Sequence, residues 1–339
     1  MATGGNLPYR RLCRHFGADL TCSEMVVADK LVRGARSEAP LLRSHPTEDR
    51  FGIQLCGKSP AVVAEAAQRA AATGCRFIDL NFGCPIELIV RRGAGSALLK
   101  RPARLSQVVA AVREATNLPL SVKIRLGWSQ KRINAVKVAQ ICQDAGADAV
   151  GVHGRTREQH YKRSADWDAI DAVAAALDIP VLGNGDLLTT WDLQLRRRTT
   201  KVASFLVARG ALIKPWIFQE LRTGCPLYPS PAQRWAVMRR YHDYAIEYFG
   251  DDDRGIARAE RFFKWHMRFW HRYRSYTEAD WLAWQPSSLI QLRDAPVTSG
   301  SPDAILLASA REEDHTLIWQ RVRAGDHPAD EGDLRTPAG

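Results

Sequence analysis

Seven short apolar runs, separated by stretches with apolar residues three and four apart, limit what this chain can fold into. The runs are Gly17–Met25, Phe51–Leu55, Phe77–Leu80, Pro119–Arg125, Asp148–His153, Ile179–Asn184 and Val202–Ala208. Between them, Val62, Val63, Ala66 and Ala70 form one helical set, and Val108, Val109 and Val112 another. Strand and helix patterns alternating at this pace predict βα units around a parallel sheet. The runs read as apolar on both faces, as parallel strands covered by helices would be. About seven units are counted, and a closed (β/α)₈ barrel needs eight. Met1–Pro8 is too short and too polar to supply the first. An open doubly wound sheet is the alternative, but the G-x-G-x-x-G that usually follows its first strand is absent. "GNGD" and "ARGAL" instead end the last two strands, where barrels commonly hold phosphate.

The texture changes after Cys225-Pro226. "PLYPSPAQ" reads as a proline-rich linker, followed by helical patterns over Gln233–Phe249, Arg254–Arg274 and Pro302–Arg323. The expected organisation is a barrel over residues 1–225, a small all-α domain over 226–323 and a flexible polar tail over 324–339. Asp251–Asp253 precede the second helix, where negative charge suits a helix N-terminus.

At 45% hydrophobic the 339-residue chain can build a substantial core, and the net charge of +11 favours nucleic acid or another anionic surface as partner. The seven cysteines are scattered, with no C-x-x-C spacing, so no metal site is expected and a reducing compartment fits. No run of about 20 apolar residues is present and no signal pattern opens the chain. The expectation is a soluble, monomeric, cytoplasmic protein, with nucleus or organelle left open.

Barrel enzymes place their chemistry at the C-terminal ends of the strands. Here those positions are polar on successive strands: Gln54, Asn81, Lys123, Arg125, His153, Asn184 and Arg209. Lys123 interrupts an apolar run, so its ammonium must be paired or face a ligand. Cys84, between Gly83 and Pro85 just past a strand end, is either a buried loop cysteine or a thiol held ready as acid or nucleophile. A second signal lies in the helical part. Arg254, Arg258, Arg261, Lys264, Arg268 and Arg272 recur three or four apart, and residues 254–274 hold seven Lys/Arg against the single acid Glu260. An excess of one sign on one helix face favours a phosphate backbone as partner, with a plain basic surface helix as the alternative. "RRRTTK" (Arg196–Lys201) is a second basic cluster.

From Asn6 to Trp270 the chain resembles the tRNA-dihydrouridine synthases, most of all their eukaryotic third subfamily. The motifs are "FGADLTCSEM", "FGIQLCG", "DLNFGCPIELIVRRGAGSALL", "PLSVKIRLG", "VHGRTREQHY", "LGNGDLL" and "ARGALIKPWIF". The resemblance implies an FMN-binding (β/α)₈ barrel with a helical domain, reducing the C5–C6 bond of a tRNA uridine with NADPH; the subfamily points to the variable loop, at a position-47 type uridine. It makes Cys84 the general acid. Gln54, Lys123 and His153 become flavin contacts, and Asn184, Gly185, Asp186, Ala208, Arg209 and Gly210 the segments around the FMN phosphate. Asn81 and Arg125 would face substrate, and Arg155, Arg157, Arg258, Arg261 and Arg268 would reach RNA. The family's opening apolar strand has no counterpart before "GNLPYRRLC", so a barrel lacking its first strand and part of its flavin wall is expected, with a misassigned start favoured over a truncated form. The subfamily's N-terminal zinc-finger repeats are not in this sequence either.

Two rival readings fit the same residues. One is a flavin barrel acting on a small molecule, of the dihydropyrimidine or dihydroorotate type, against which the basic helical part argues. The other is a flavin-free tRNA-binding protein.

Overall fold

The computed structural model describes residues 4–285, 287–292, 297–328 and Leu334, in two compact units. The first comprises Asp19–Asp186 and Gln194–Ala208. It holds eight strands: β1 (Thr21–Cys22), β2 (Val26–Val27), β3 (Phe51–Cys56), β4 (Phe77–Asn81), β5 (Leu120–Arg125), β6 (Ala149–His153), β7 (Val181–Asn184) and β8 (Ser204–Leu206). All pairings are parallel, in the order β1-β3-β4-β5-β6-β7-β8, with β2 also on β3. Among the described residues no ladder joins β8 back to β1. The result is a TIM-barrel-like α/β fold accompanied by a helical unit.

Two sequence expectations change here. The run Gly17–Met25 is not one strand but the pieces β1 and β2, both lying on β3. Polar Ser23-Glu24 interrupts it, and Ser23 bridges the gap: its N–H donates to Gly52 O at 2.9 Å and its hydroxyl accepts the Gln54 N–H at 3.0 Å. Nor are the strands apolar on both faces. Side chains alternate along a strand, and only one set is apolar. Ile53, Leu55, Ile78, Leu80, Leu120, Val122, Ile124, Val150, Val152 and Val181 are buried. The covering helices Pro60–Ala71, Pro102–Ala115 and Ala135–Asp144 bury Val63, Ala66, Leu105, Val108, Val109, Val112 and Val138. Burying each such branched side chain contributes about 1.5–3 kcal/mol, which pins the register. The opposite face is therefore free to carry Gln54, Asp79, Asn81, Ser121, Lys123, Arg125, His153 and Asn184.

The second unit gathers the N-terminal stretch up to Ala18, Leu187–Leu193 and the chain from Arg209 onward. The division thus falls before Arg209 rather than in the Pro226–Gln233 linker. The reason is packing: the N-terminal helix Leu7–His15, capped by Asn6, lies on the helix Pro231–Phe249, with Arg11 paired to Glu247 at 2.8 Å. Ser230 and Gln233 form a capping box that starts the latter helix two residues earlier than expected. Asp252 caps the basic helix, Asp253–Trp270, through the Gly255 N–H at 2.6 Å. Trp235, Tyr241, Phe263, Met267, Trp270, Ile318 and Trp319 are buried in this unit. The single helix expected over Pro302–Arg323 is two, Pro302–Leu307 and Glu312–Ala324, because Ser309 and Arg311 turn their side chains onto Asp314 and break the run. Of the expected tail, residues 329–333 and 335–339 lie outside the described residues, as do residues 1–3. Among the described residues no helix is long and apolar enough to cross a membrane.

Candidate active site

The polar face of the sheet assembles from alternation and register. Gln54 lies opposite Asp79, Asp79 opposite Ser121 and Asn81 opposite Lys123. Arg125 lies opposite His153, and His153 opposite Asn184. Of the seven strand-end residues singled out from the sequence, six are thus brought to one face of one sheet. Arg209 is the exception: it opens the helix Arg209–Ile213 in the second unit, three residues beyond the end of β8.

Cys84 sits three residues past β4, in a turn built by Asn81. The Asn81 carbonyl oxygen accepts the N–H of Gly83 at 3.1 Å and of Cys84 at 2.8 Å. The Cys84 carbonyl accepts the Ser96 N–H at 3.1 Å, tying the turn to the segment after "RRGAG". Gly95 allows that approach: its φ is +58°, and a Cβ there would lie 2.9 Å from Cys84 O. Cys56, Ile89, Ala94, Met25 and Val27 collar the residue, which is 9% exposed. Burial pushes the Cys84 thiol above the ordinary cysteine value, opposed by the backbone N–H of Ile86 and the charge of Arg125. The group therefore keeps its proton at neutral pH.

Lys123 is pulled the other way. Burial and the nearby Arg125 bring its ammonium down to about 7, against the attraction of Asp79. Asp79 is itself pushed up by burial and held back by hydrogen bonds from Ser121 and Gln54 and by Lys123. His153 is lowered well below the usual histidine range by burial and by Lys123, Arg125 and Arg155. Its Nδ1 lies 2.9 Å from Asn184 Oδ1, while Asn184 Nδ2 donates to Leu206 O at 2.6 Å. Asn184 must then accept, so the neutral imidazole carries its proton on Nδ1.

Several candidates have partners the sequence did not foretell. Arg155, expected to reach RNA, has its side chain wholly buried and paired with Asp186 at 2.5 Å, with a further bond from Nε to Arg163 O at 2.6 Å. Asp186, grouped with the phosphate segments, is committed to Arg155 and to the Ala165 N–H at 2.7 Å. Arg125 is 4% exposed and braces backbone, donating to Gly83 O at 2.8 Å and Thr156 O at 3.1 Å. Arg157 pairs with Glu87 at 2.5 Å on the segment that follows Cys84. Gly185 O accepts from Trp167 Nε1 at 3.2 Å. Ala208 closes the first unit along the chain. In the second unit, Gly210 lets its helix press against the chain: a Cβ there would stand 2.0 Å from Leu187 O. Arg258, Arg261 and Arg268 are exposed on the basic helix, as is Arg254, whereas Lys264 pairs with Glu260 at 2.8 Å.

Three residues of this face went unnoticed in the sequence. Asp79 and Ser121 share strand parity with Asn81 and Lys123, two positions back, and that signal would have found them. Tyr161 is 46% exposed; its ring lies 6.2 Å from that of His153 and 5.9 Å from the Arg125 guanidinium. Only the folded loop after β6 brings it there. Among the described residues no group of three or more His, Cys, Asp or Glu is placed to hold a metal ion.

The donor set fits a flavin. Carboxamides at Gln54, Asn81 and Asn184 and the Lys123 amine, a donor in either protonation state, line one face, and the pyrimidine edge of an isoalloxazine offers mostly acceptors.

The family model described as dihydrouridine synthase (Dus) matches residues 1–286. The chain is 40% identical over 276 residues to a tRNA-dihydrouridine(47) synthase [NAD(P)(+)]-like protein of Homo sapiens, covering 80% of this chain and 42% of that protein. The Mus musculus counterpart is 40% identical over 275 residues (80% and 43%), and that of Oryza sativa subsp. japonica 38% over 278 residues (80% and 40%). The chain thus spans less than half the length of these relatives. Among solved structures, a 2-naphthoyl-CoA reductase complex aligns with a TM-score of 0.51 at 13% identity, over 66% of this chain and 48% of that one, a likeness of fold alone.

Proposed function

Since the chain belongs to the dihydrouridine synthase family, we propose that it reduces the C5–C6 bond of a uridine in tRNA, acting as a monomer with FMN bound and NADPH as reductant. The relatives' printed names carry position 47 and NAD(P)(+), and position 47 is the target proposed here. One observation carries the reading: a thiol kept protonated by burial stands in a braced turn at the rim of a polar, cation-bearing strand face.

Gln54, Lys123, His153, Asn184 and Gly185 would hold the flavin. For Ala208, Arg209 and Gly210 the phosphate role rests on the motif. When bound, FMN supplies the hydride that C6 of the uracil receives. Cys84 then gives its proton to C5, and the thiolate left behind is stabilised by the Ile86 N–H and the Arg125 charge. Lys123 offers positive charge where negative charge gathers on the ring system. Asn81 has spent its carbonyl on the Cys84 turn and one N–H on Gln54, so one N–H remains for the base. A uridine inside folded tRNA must be turned out to reach such a site. Arg258, Arg261 and Arg268 would hold the phosphate backbone meanwhile.

The test uses tRNA lacking dihydrouridine, with FMN and NADPH. The wild-type chain is expected to form dihydrouridine. Cys84→Ala is expected to keep its flavin absorption and oxidise NADPH, yet form product roughly 10²–10⁴-fold more slowly. Wild-type product formation by that variant sinks the acid assignment. A protein that stays colourless after FMN is added sinks the flavin.

A further inference from the structure

Four side chains on three strands and two backbone N–H groups of the turn after β4 form one hydrogen-bonded line. Ser121 Oγ donates to Asp79 Oδ1 at 2.6 Å, and Gln54 Nε2 donates to Asp79 Oδ2 at 2.6 Å. Asn81 Nδ2 donates to Gln54 Oε1 at 2.7 Å. Asn81 Oδ1 accepts the N–H groups of Gly83 and Cys84 at 3.1 and 2.8 Å. At one end the backbone N–H groups of the turn have no choice of role, because a backbone N–H only donates, and toward the other end the two Asp79 oxygens accept from Ser121 and Gln54. A carboxamide can be turned either way, but the two placed between these ends can complete the line in only one orientation. We propose that Asp79 is a positioning residue: by accepting from Gln54 and Ser121 it sets the orientation of the Gln54 and Asn81 amides, and through Asn81 it fixes where the Cys84 thiol stands.

Asp79 is four residues short of the turn and makes no bond to it, so its action passes through Gln54 and Asn81. The four side chains of the line are half-buried, and reversing one member leaves its neighbour facing a like group rather than a matched donor or acceptor. A network of this kind is worth most when every member is satisfied and is disrupted when one is reversed. Gln54 is also one of the residues that would hold the flavin, so the same carboxylate decides which amide atom Gln54 turns toward it. Calling this positioning catalytic in consequence rests on the reading of Cys84 as the proton donor. The line itself does not.

The test exchanges carboxylate and amide along the line in the full 339-residue chain. Gln54→Glu sets two carboxylates face to face. Adding Asp79→Asn swaps the two groups, and the carboxylate then at position 54 still accepts from Asn81. The readout is the rate of iodoacetamide alkylation at the Cys84 peptide against pH, followed by mass spectrometry, with a thermal melt to confirm folding. It needs neither flavin nor tRNA. Gln54→Glu is expected to loosen the turn and raise Cys84 alkylation about threefold or more, and the double exchange to return it toward wild type. If Gln54→Glu fails to fold, Ser121→Ala, which removes one bond without adding charge, is expected to shift the profile the same way by less. An unchanged profile in the folded single variants, or a double exchange no nearer wild type than Gln54→Glu, overturns the proposal. Failure of Cys84→Ala to slow dihydrouridine formation would remove the acid role and leave the alkylation result standing.

Discussion

Lys123 lies on the polar face of β5, opposite Asn81, with its ammonium brought from 10.5 down to about 7. Between those pH values the unfolded chain holds a proton that the folded chain has released. Stability therefore rises with pH across that window, and below about 7 the full cost of burying the charge is present. Lys123→Met is expected to stabilise the chain at pH 7 by roughly 2–4 kcal/mol and to flatten the stability slope between pH 7 and 10 while abolishing activity. Urea melts at pH 7 and 9.5 read this directly, and a slope equal to wild type would falsify it. The lysine was legible in the sequence because it broke an apolar run. Asp79, which opposes its shift, was not, because an aspartate two residues before a strand end looks like any polar alternation.

At the scale of elements, strand ends were read well and the joints between elements less so. The "ARGAL" motif suggested phosphate binding at Gly210, and the structure supplies a packing reason for the same glycine. Any Cβ would meet the Leu187 carbonyl, a backbone atom that cannot move aside. Gly210→Ala is thus expected to destabilise the second unit by about 2 kcal/mol or more, seen as a lower melting temperature in flavin-free protein. An unchanged melt, with flavin affinity reduced, would assign this glycine to phosphate binding alone. Arg234 shows a similar joint. Buried without a carboxylate bonded to it among the described residues, it donates to Trp270 O and Leu307 O at two helix C-termini and lies over the Tyr273 ring. In the sequence it is one more arginine on a helical pattern.

For the whole molecule, the charge of +11 is the property most open to measurement. Arg254, Arg258, Arg261 and Arg268 stand exposed along one helix, and the last two are seven residues apart on it. If this helix holds a phosphate backbone, binding of tRNA falls steeply with salt. Replacing Arg258, Arg261 and Arg268 together by Gln is expected to weaken binding and to lower the slope of log K against log salt by about 2–3. Filter binding between 50 and 200 mM salt, values chosen to span roughly the range where such contacts fade, would show it. An unaltered slope would place the RNA contacts elsewhere. Arg155, by contrast, is expected to leave that slope untouched, because its charge is already taken by Asp186.

The order of the βα units, the polar strand ends, the cysteine turn and the basic helix were determined by the sequence alone. Each is a local pattern: a period of two, a period of three to four, or a turn motif only a few residues long. Tertiary structure decided which charges are spent inside the protein and which remain for a ligand. Arg155 and Arg268 read alike as arginines in suspect segments, yet one meets a carboxylate 31 positions away and the other stays at the surface. The break of the first strand around Ser23 and the membership of the N-terminal helix in the second unit were decided the same way. All depend on partners distant along the chain, and a local pattern carries no record of them.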